Sequence, residues 1–267
     1  MNNPIIKRGI HNFQLLKYYV QRQKNKINLL ILNLRKQQNE SFECPICGYN
    51  GPFLDEDVSS GLRKNAICPN CNALERHRIQ FLVINDVLRT LNTADLRMLH
   101  FAPEPFFHEL FSKRFGRYET ADLNMKDVDH NVDLQQLPFK NETYDFVFAS
   151  HVLEHIRDDE KAITEIRRIL RPNGLAILPV PIVAETTIEY PKPIPSEFYH
   201  VRAPGIDYYE RYERHFSRVE RFYSDSYPDK YQLYIYEDRS QWPTKECPLR
   251  LPMQGEKHID IIPVCYV

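Results

Sequence analysis

From residue 98 onward, short apolar runs alternate with stretches of helical periodicity. The apolar runs have the length and residue types of buried strands, and they are Met98–Phe101, Tyr144–Ala149 and Leu175–Val180. Apolar residues recur at helical spacing over Asp158–Arg171, and Pro172-Asn173-Gly174 predicts the end of that helix. Alternating strands and helices predict a parallel sheet covered by helices.

The ends of the chain add three further elements. Residues 1–40 combine a basic excess with apolar residues at seven-residue spacing, namely Ile6, Phe13, Val20, Ile27 and Leu34. This pattern predicts a basic amphipathic helix that packs on its own protein or on a second subunit, which would form a homodimer. Attachment to a membrane surface and contact with RNA are the alternatives. A second helix is predicted over Ala73–Leu91, and Ile259–Val267 has the pattern of a closing strand.

Two cysteine pairs lie between these helices. Each pair follows the pattern C-P-x-C, and the four residues are Cys44, Cys47, Cys68 and Cys71. A two-residue spacer lets one tight turn present two thiolates to one ion, and tetrahedral zinc takes four such ligands. Residues 41–73 are therefore predicted to form a zinc ribbon with a structural ion. Cys247 and Cys265 stand alone and are interpreted as packing thiols.

Composition excludes several classes of protein. The 267 residues suit one medium domain with a small appendage, and the net charge of −1 gives no overall attraction to nucleic acid or anionic lipid. No apolar run approaches the roughly 18 residues of a spanning helix. Lys7, Arg8 and Lys17 interrupt the apolar residues at the N-terminus, which therefore lacks the pattern of a signal peptide. A cytoplasmic location is predicted, and in that reducing compartment paired cysteines favour metal over disulfides.

Five ordered segments between residues 98 and 181 carry the strongest functional signal. They are MLHFAPEP (98–105), YETADL (118–123), DLQQLPF (133–139), YDFVFASHVLEHI (144–156) and LRPNGLAILP (170–179). In this order they resemble the class I S-adenosylmethionine-dependent methyltransferases, and the methyltransferase type 11 group in particular. The resemblance implies a Rossmann-like, mostly parallel seven-stranded sheet with helices on both faces and an antiparallel last strand.

The resemblance also implies where the cofactor binds. Asp122 would accept hydrogen bonds from both ribose hydroxyls of S-adenosylmethionine, and Leu123 would pack on the adenine ring. Asp133 would accept from the adenine amino group, while the backbone amide of Leu134 donates to the ring. Ligands of open α/β sheets bind at the carboxyl ends of the strands. Phe101 and Ser150, with the neighbouring His151, are therefore expected to face the cleft.

One segment departs from the family pattern. The first loop of the family carries G-x-G-x-G, whose glycines let the backbone approach the methionine part of the cofactor. Here no glycine occurs between Gly61 and Gly116, and Ala102-Pro103-Glu104 stands in that place. Alanine is small enough for a close approach, and the carboxylate of Glu104 could bind the cofactor's ammonium group.

Two histidines are the candidates for acid–base chemistry. Methyl transfer needs alignment of acceptor, methyl and sulfur, and a hydroxyl or weakly acidic nitrogen acceptor also needs a base. Imidazole titrates near neutral pH, and His151 and His155 lie in the segment after the 144–149 strand. A structural role is the alternative for both, with Glu154 and His155 bracing the following helix.

Acceptor binding is predicted in two places. The segment HVRAPGIDY (200–208) is similar to a segment of some bacterial members of the family. Tyr199, His200 and Arg202 are candidates to bind the acceptor. Arg202 could bind a carboxylate or phosphate group of the acceptor. The adjacent rings of Tyr208 and Tyr209 could stack on a sugar or base. The alternative is an Arg–Asp pair that fixes the segment. Arg76, His77 and Arg78, which follow the second cysteine pair, form a second candidate set.

These interpretations give a domain plan and a function. We expect a basic helix over 1–40, a zinc ribbon over 41–73, and a methyltransferase domain over 74–267 with an acceptor-site insertion at about 182–215. The expected acceptor is a small molecule or a glycan building block. An RNA acceptor is the first alternative, because the rRNA guanine-N1 methyltransferases also join a zinc module to this fold. A catalytically inactive assembly protein is the second.

Overall fold

The computed structural model describes residues 40–58 and 60–267, together with residues 20, 23, 24 and 27. The predicted basic helix over 1–40, and any homodimer formed through it, lie outside these described ranges. The chain forms two compact units. The first comprises residues up to Asp86, Tyr223–Asp238 and Gly255–Asp260, and the second comprises Val87–Phe222, Arg239–Gln254 and Ile261–Val267.

The first unit is built from short antiparallel strands and one helix. Strands β1 (Phe42–Glu43) and β2 (Asn50–Gly51) pair with each other. Strands β3 (Leu54–Val58) and β4 (Gly61–Ile67) join β13 (Ile235–Tyr236) and β14 (Lys257–His258) in a four-stranded sheet of order β14-β13-β4-β3. Helix α1 runs from Glu75 to Leu88. Because β13 and β14 come from residues far along the chain, this unit does not correspond to one contiguous segment of sequence.

The second unit contains the sheet that the apolar runs predict. Its strands are β5 (Arg97–Phe101), β6 (Arg117–Asp122), β7 (His130–Asn131), β8 (Tyr144–Ala149), β9 (Leu170–Ile177), β12 (Arg218–Tyr223) and β15 (Ile261–Tyr266). Their order is β12-β15-β9-β8-β5-β6-β7. The pairs β5·β6, β5·β8, β6·β7 and β8·β9 are parallel, whereas β15 is antiparallel to β9. The predicted mostly parallel seven-stranded sheet with an antiparallel last strand is confirmed.

Two helices of the second unit show why their sequences begin and end where they do. Helix α2 (Pro105–Arg114) starts with a proline, which has no amide hydrogen to leave unpaired in the first turn. Helix α3 (Asp159–Ile169) is capped by Asp158, whose side chain accepts a hydrogen bond from the amide of Lys161. The helix ends two residues before the predicted Arg171, because β9 begins at Leu170 and the turn with positive φ at Asn173 lies within that strand.

A smaller antiparallel pair follows the central strands. Strands β10 (Ile188–Ile194) and β11 (His200–Ala203) form a two-stranded sheet, and a short helix α4 (Glu210–Glu213) comes after it. All four residues of β11 are buried. This segment occupies the region in which the acceptor-site insertion is predicted. Within the described ranges, every helix is too short or too polar to cross a bilayer.

Candidate functional site

The parallel strands bring their carboxyl ends to one edge of the large sheet. Phe101 lies opposite Ala121 on one neighbouring strand and opposite Ala149 on the other. Asp122 ends β6, and Ser150 directly follows β8. Phe101 and Ser150 are 3% and 7% exposed. The sheet thus collects the predicted cofactor residues at the edge where open α/β sheets bind ligands.

Asp122 combines a structural bond with an available oxygen. Its Oδ1 accepts hydrogen bonds from the backbone amides of Asn124 and Met125, both at 2.7 Å. Its Oδ2 makes no hydrogen bond to any residue in the ranges 40–58 and 60–267. The side chain of the adjacent Leu123 is 61% exposed. The end of β6 therefore offers a fixed carboxylate oxygen beside an apolar surface, as a ribose and its adenine require.

The segment predicted to bind adenine forms a turn of its own. Asp133 is exposed, and its Oδ1 accepts a hydrogen bond from the amide of Gln135 at 2.9 Å. The Asp133 carbonyl accepts from the amide of Gln136 at 2.9 Å. Leu134 is buried at 5% exposure, so it anchors the turn. The carboxylate of Asp133 is oriented by this turn, and its contact with adenine stays a prediction.

The loop after β5 takes a left-handed turn without glycine. Ala102 has φ +46°, and its amide donates to the carbonyl of Ala121 at 2.9 Å. A non-glycine residue in this region costs about 1–3 kcal/mol, and such strain concentrates at functional sites. Pro103 and Glu104 then lead into the first turn of α2. The backbone thus turns sharply at the place where the family uses glycine, since the small alanine tolerates the conformation.

A second strained residue lies at the end of β8. His151 has φ +54°, and its amide donates to the carbonyl of Pro179 at 2.9 Å. Its Nδ1 lies 3.4 Å from Oε1 of Glu154. Its Nε2 is buried and makes no hydrogen bond within the part of the chain that the structure describes. One ring nitrogen therefore faces a carboxylate while the other has no partner among the described residues, which is the arrangement of an oriented base.

Glu154 is the centre of a group of histidines. The carboxylate is 1% exposed, and Nε2 of His155 lies 4.0 Å from its Oε1. The rings of His155 and His200 are in contact, with centroids 4.6 Å apart. Burial works to raise the pKa of Glu154, but His151, and to a smaller extent the charges of His155 and His200, lower it below its usual value. Burial lowers the pKa of His200 to about 4. Sequence reasoning separated these residues into three roles, whereas the fold brings them together.

The two cysteine pairs meet in the first unit and share one turn geometry. In each pair the first cysteine's carbonyl accepts from the amide four residues on, Gly48 or Asn72, at 2.9 Å. Those two residues have φ +70° and +61°, which a tight turn of this kind requires. The Sγ atoms of Cys44 and Cys71, and those of Cys47 and Cys68, lie 3.6 Å apart.

This geometry fits a zinc ion. All four Sγ atoms lie within 4.8 Å of one another. A tetrahedral ion with Zn–S bonds of about 2.3 Å separates its sulfurs by about 3.7 Å. The cysteines pack with Phe53 and Ala73 in an apolar cluster that would shield the ion. The four sulfurs are thus already spaced as zinc ligands.

The residues after the second pair are mostly structural in this arrangement. Arg78 is fully buried, and its guanidinium donates to the carbonyls of Ala66, Ala73 and Gln232. The Nδ1 of His77 accepts from the amide of Leu74 at 3.0 Å. Arg76 is partly exposed. The predicted acceptor role of Arg78 is corrected, since its side chain holds the first unit together and is not presented to a ligand.

The acceptor-binding candidates in and beside β11 also differ in whether they are buried or exposed. Arg202 is 1% exposed, and its guanidinium pairs with Glu189 and Asp159 and donates to the carbonyls of Leu153 and Ile156. The predicted acceptor clamp at Arg202 is therefore corrected to a structural role. An arginine–aspartate pair does fix this segment, but the partner is Asp159 in α3. By contrast, Tyr199 is 65% exposed.

The two following tyrosines are buried as well. Tyr208 and Tyr209 are fully buried, and their hydroxyls donate to Asp159 and to the carbonyl of Ile261. Because neither ring reaches the surface, the predicted stacking on a sugar or base is corrected for both. These side chains connect the segment after β11 to α3 and β15.

We expect Arg202→Met to destabilise the second unit by about 3 kcal/mol. The substitution leaves the buried Asp159 short of one cationic partner and removes the bonds to the 153–156 turn. Chemical denaturation of the purified variant measures the change. Arg214→Met is the matched control, because Arg214 is 60% exposed in its pair with Glu160 and its loss should cost less than 1 kcal/mol. Equal effects of the two substitutions would contradict the structural role of Arg202.

Comparison with known proteins agrees with the geometry. The family described as "Methyltransferase domain" matches residues 111–178. Demethylmenaquinone methyltransferase of Streptomyces avermitilis is 31% identical over 113 residues, covering 42% of this chain and 42% of that protein. A polyketide synthase-nonribosomal peptide synthetase of Aspergillus clavatus is 35% identical over 72 residues, covering 27% of this chain and 2% of that protein. The chain spans less than half the length of the curated relatives it matches, namely 2%, 22% and 42%.

Solved structures of methyltransferases are also similar. An S-adenosylmethionine-dependent methyltransferase from Mesorhizobium loti aligns with a TM-score of 0.46 at 12% identity, over 72% of this chain and 100% of that one. Phosphoethanolamine N-methyltransferase 2 of Haemonchus contortus aligns with a TM-score of 0.46 at 16% identity, over 70% of this chain and 52% of that one. The sheet order, the ordered sequence segments and the matching family lead to one conclusion. Residues 111–178 of the second unit match the methyltransferase-domain family, and its sheet is the mostly parallel seven-stranded one that the class I resemblance implies.

Proposed function

We propose that the protein transfers a methyl group from S-adenosylmethionine to a small molecule or a glycan building block. The observation that carries the proposal is the edge formed by Asp122, Leu123 and the strained residues Ala102 and His151. A bound S-adenosylmethionine supplies an electrophilic methyl group on a sulfonium. The protein then has to hold the cofactor, align the acceptor and keep water away.

The residues divide these tasks among them. Asp122 would bind the ribose through its free carboxylate oxygen, and Leu123 would cover one face of the adenine. Asp133 and the amide of Leu134 would bind the edge of the adenine ring. The turn at Ala102, Pro103 and Glu104 would hold the methionine part. Phe101 and Ser150 would lie beneath the cofactor, because they end or follow adjacent strands.

His151 is the proposed general base. Glu154 faces its Nδ1 at 3.4 Å, which favours the tautomer with a proton there and a lone pair on Nε2. That lone pair can take a proton from an acceptor hydroxyl or nitrogen as the methyl group arrives. The His151 side chain is 23% exposed while its Nε2 is buried, so the proposed base is enclosed. This enclosure supports a small acceptor over a folded RNA.

The experiment that tests the activity follows the labelled methyl group. The full-length protein is incubated with methyl-labelled S-adenosylmethionine and, separately, with a small-metabolite extract, a glycan precursor fraction and ribosomal RNA. Label in the first or second fraction supports the proposal. Label in RNA alone supports the first alternative, in which the zinc module contacts RNA. No label together with no cofactor binding at millimolar concentration supports the inactive assembly protein.

His151→Asn is expected to lower kcat about 100-fold or more while changing cofactor affinity less than threefold. Asparagine keeps a polar group beside Glu154 but cannot accept the acceptor's proton, and general bases contribute about 10²–10⁴ in rate. Steady-state kinetics and calorimetry with S-adenosylmethionine give the two quantities. His130→Asn is the control, because His130 on β7 pairs with Glu119 on β6. An unchanged kcat in His151→Asn would reject the assignment.

Zinc and location complete the proposal. We infer that Cys44, Cys47, Cys68 and Cys71 bind one structural Zn²⁺, on the strength of the sulfur spacing. A cytoplasmic location stays a prediction, and it is consistent with six cysteines none of which forms a disulfide. The roles of Arg76, His77, Tyr199 and His200 toward the acceptor stay predictions, as does a homodimer through residues 1–40.

A further inference from the structure

The buried carboxylate of Glu154 is short of partners. The side chain is 1% exposed, and neither Oε1 nor Oε2 makes a hydrogen bond to any described residue. A buried carboxylate without hydrogen bonds is unfavourable unless a positive charge compensates it. Within the described ranges no arginine or lysine pairs with Glu154, and its neighbours at 3.4 Å and 4.0 Å are the histidines His151 and His155.

A second histidine with an unpaired nitrogen lies in the same group. His200 is 8% exposed, and its Nδ1 is buried without a hydrogen-bond partner among the described residues. One potential ligand atom from each of Glu154, His155 and His200 lies within 4.8 Å of the other two. Two imidazoles and one carboxylate are a donor set that divalent transition metals bind.

The fold holds these three side chains together for a reason that can be traced. Leu153–His155 form a 3-10 turn, and Arg202 donates to the carbonyls of Leu153, which begins the turn, and Ile156, which follows it. His200 and Arg202 lie two residues apart on β11, so their side chains leave the same face of that strand. The arginine that fixes the turn therefore also brings His200 to it.

We propose that Glu154, His155 and His200 bind one divalent first-row transition-metal cation, distinct from an ion at the four cysteines. Metal–nitrogen and metal–oxygen bonds of about 2.1 Å place neighbouring ligand atoms about 3.0–3.4 Å apart. From the observed limit of 4.8 Å, the ligand atoms would approach one another by at most about 1.8 Å to reach that spacing. The cation would supply the positive charge that the Glu154 carboxylate needs.

The site has room for an outside ligand. The His155 side chain is 37% exposed, whereas Glu154 and His200 are buried. A cation held by three protein ligands would keep open positions, and His155 is the ligand beside which solvent could reach them. Because His151 contacts the same carboxylate, an oxygen bound to the cation would lie in the neighbourhood of the proposed base. The metal site itself does not depend on methyl transfer.

Cobalt binding to the zinc-loaded, full-length protein tests the proposal. Co²⁺ binds nitrogen and oxygen ligands but competes weakly with zinc for thiolates. We expect one Co²⁺ per chain by calorimetry, with visible absorption bands and without the near-ultraviolet charge-transfer band of a cobalt–thiolate bond. No binding up to millimolar Co²⁺, or a single binding event that shows the thiolate band, would overturn the proposal.

Three substitutions assign the ligands. Glu154→Gln, His155→Asn and His200→Asn should each weaken Co²⁺ binding at least 30-fold. His155→Asn is the variant most certain to fold, because its side chain is partly exposed, and circular dichroism checks all three. His215→Asn is the matched control, since His215 pairs with Glu160 outside this group at 2.7 Å and its loss should leave affinity within twofold. Cobalt affinity that survives in His155→Asn and in a folded Glu154→Gln or His200→Asn variant would overturn the proposal.

Discussion

Replacing Cys68 with serine is expected to remove the zinc and unfold the first unit. Cys68 is fully buried, and its Sγ lies 3.6 Å from that of Cys47. Structural zinc in small modules contributes about 10–16 kcal/mol of apparent binding free energy at pH 7, which exceeds the ordinary stability of a small unit. A serine hydroxyl is a poor substitute for a thiolate, so most of this free energy is lost.

Two measurements on the purified variant check this expectation. Metal analysis should give one zinc per chain less than the wild type, and limited proteolysis should cut within residues 41–73. Cys247→Ser is the matched control, since Cys247 is also fully buried but lies outside the cysteine cluster, and it should keep its zinc. A folded Cys68→Ser protein that binds cofactor and has lost activity would show that the ribbon takes part in the chemistry.

The sequence predicted the central strands of the large sheet well because they are buried on both sides. Met98–Phe101 and Tyr144–Ala149 are continuous apolar runs, and they coincide with β5 and β8 to within one residue. The third run was placed too late, since β9 starts at Leu170 and includes the polar turn around Asn173. The first residues of β9 belong to the strand because they pair with β8, and pairing between distant residues leaves no local apolar signal.

Short strands that are completed by distant parts of the chain were not predictable. Ile235–Tyr236 and Lys257–His258 join the sheet of the first unit, about 170 to 200 residues after its other strands. A two-residue strand is too short to show the alternation of apolar and polar residues that identifies a strand in sequence. The pairing depends on contacts such as Arg78 with the carbonyl of Gln232, which the sequence around either residue does not reveal.

The features of the candidate site also divide into those with a local sequence pattern and those without one. Cysteine spacing predicted the sulfur cluster, because four ligands in two tight turns are a local pattern. The acceptor-binding roles predicted for Arg78 and Arg202 were wrong. The sequence does not distinguish an arginine that donates to buried carbonyls from one that binds an anionic ligand. The meeting of Glu154 with His200, 46 residues later in the chain, has no local signal at all.

Asp122→Ala is expected to weaken S-adenosylmethionine binding by about 100-fold or more. A charged carboxylate that accepts two ribose hydroxyls contributes about 1.5–3 kcal/mol for each bond, and each 1.4 kcal/mol is tenfold in affinity. The wild-type Oδ1 also accepts the amides of Asn124 and Met125. Alanine therefore removes the ribose contact and loosens the turn that presents Leu123.

Asp122→Asn separates these two effects. The asparagine oxygen can still accept the amides of Asn124 and Met125, while the position of Oδ2 becomes an amide donor. If the ribose contact dominates, Asp122→Asn should lose at least 10-fold in affinity by calorimetry, with an unchanged midpoint of thermal unfolding. Asp158→Asn is the matched control, because an asparagine caps α3 as well as the aspartate does and lies outside the proposed cofactor site. Wild-type affinity in Asp122→Asn would leave the turn as the function of Asp122 and would move the ribose contact elsewhere on the sheet edge.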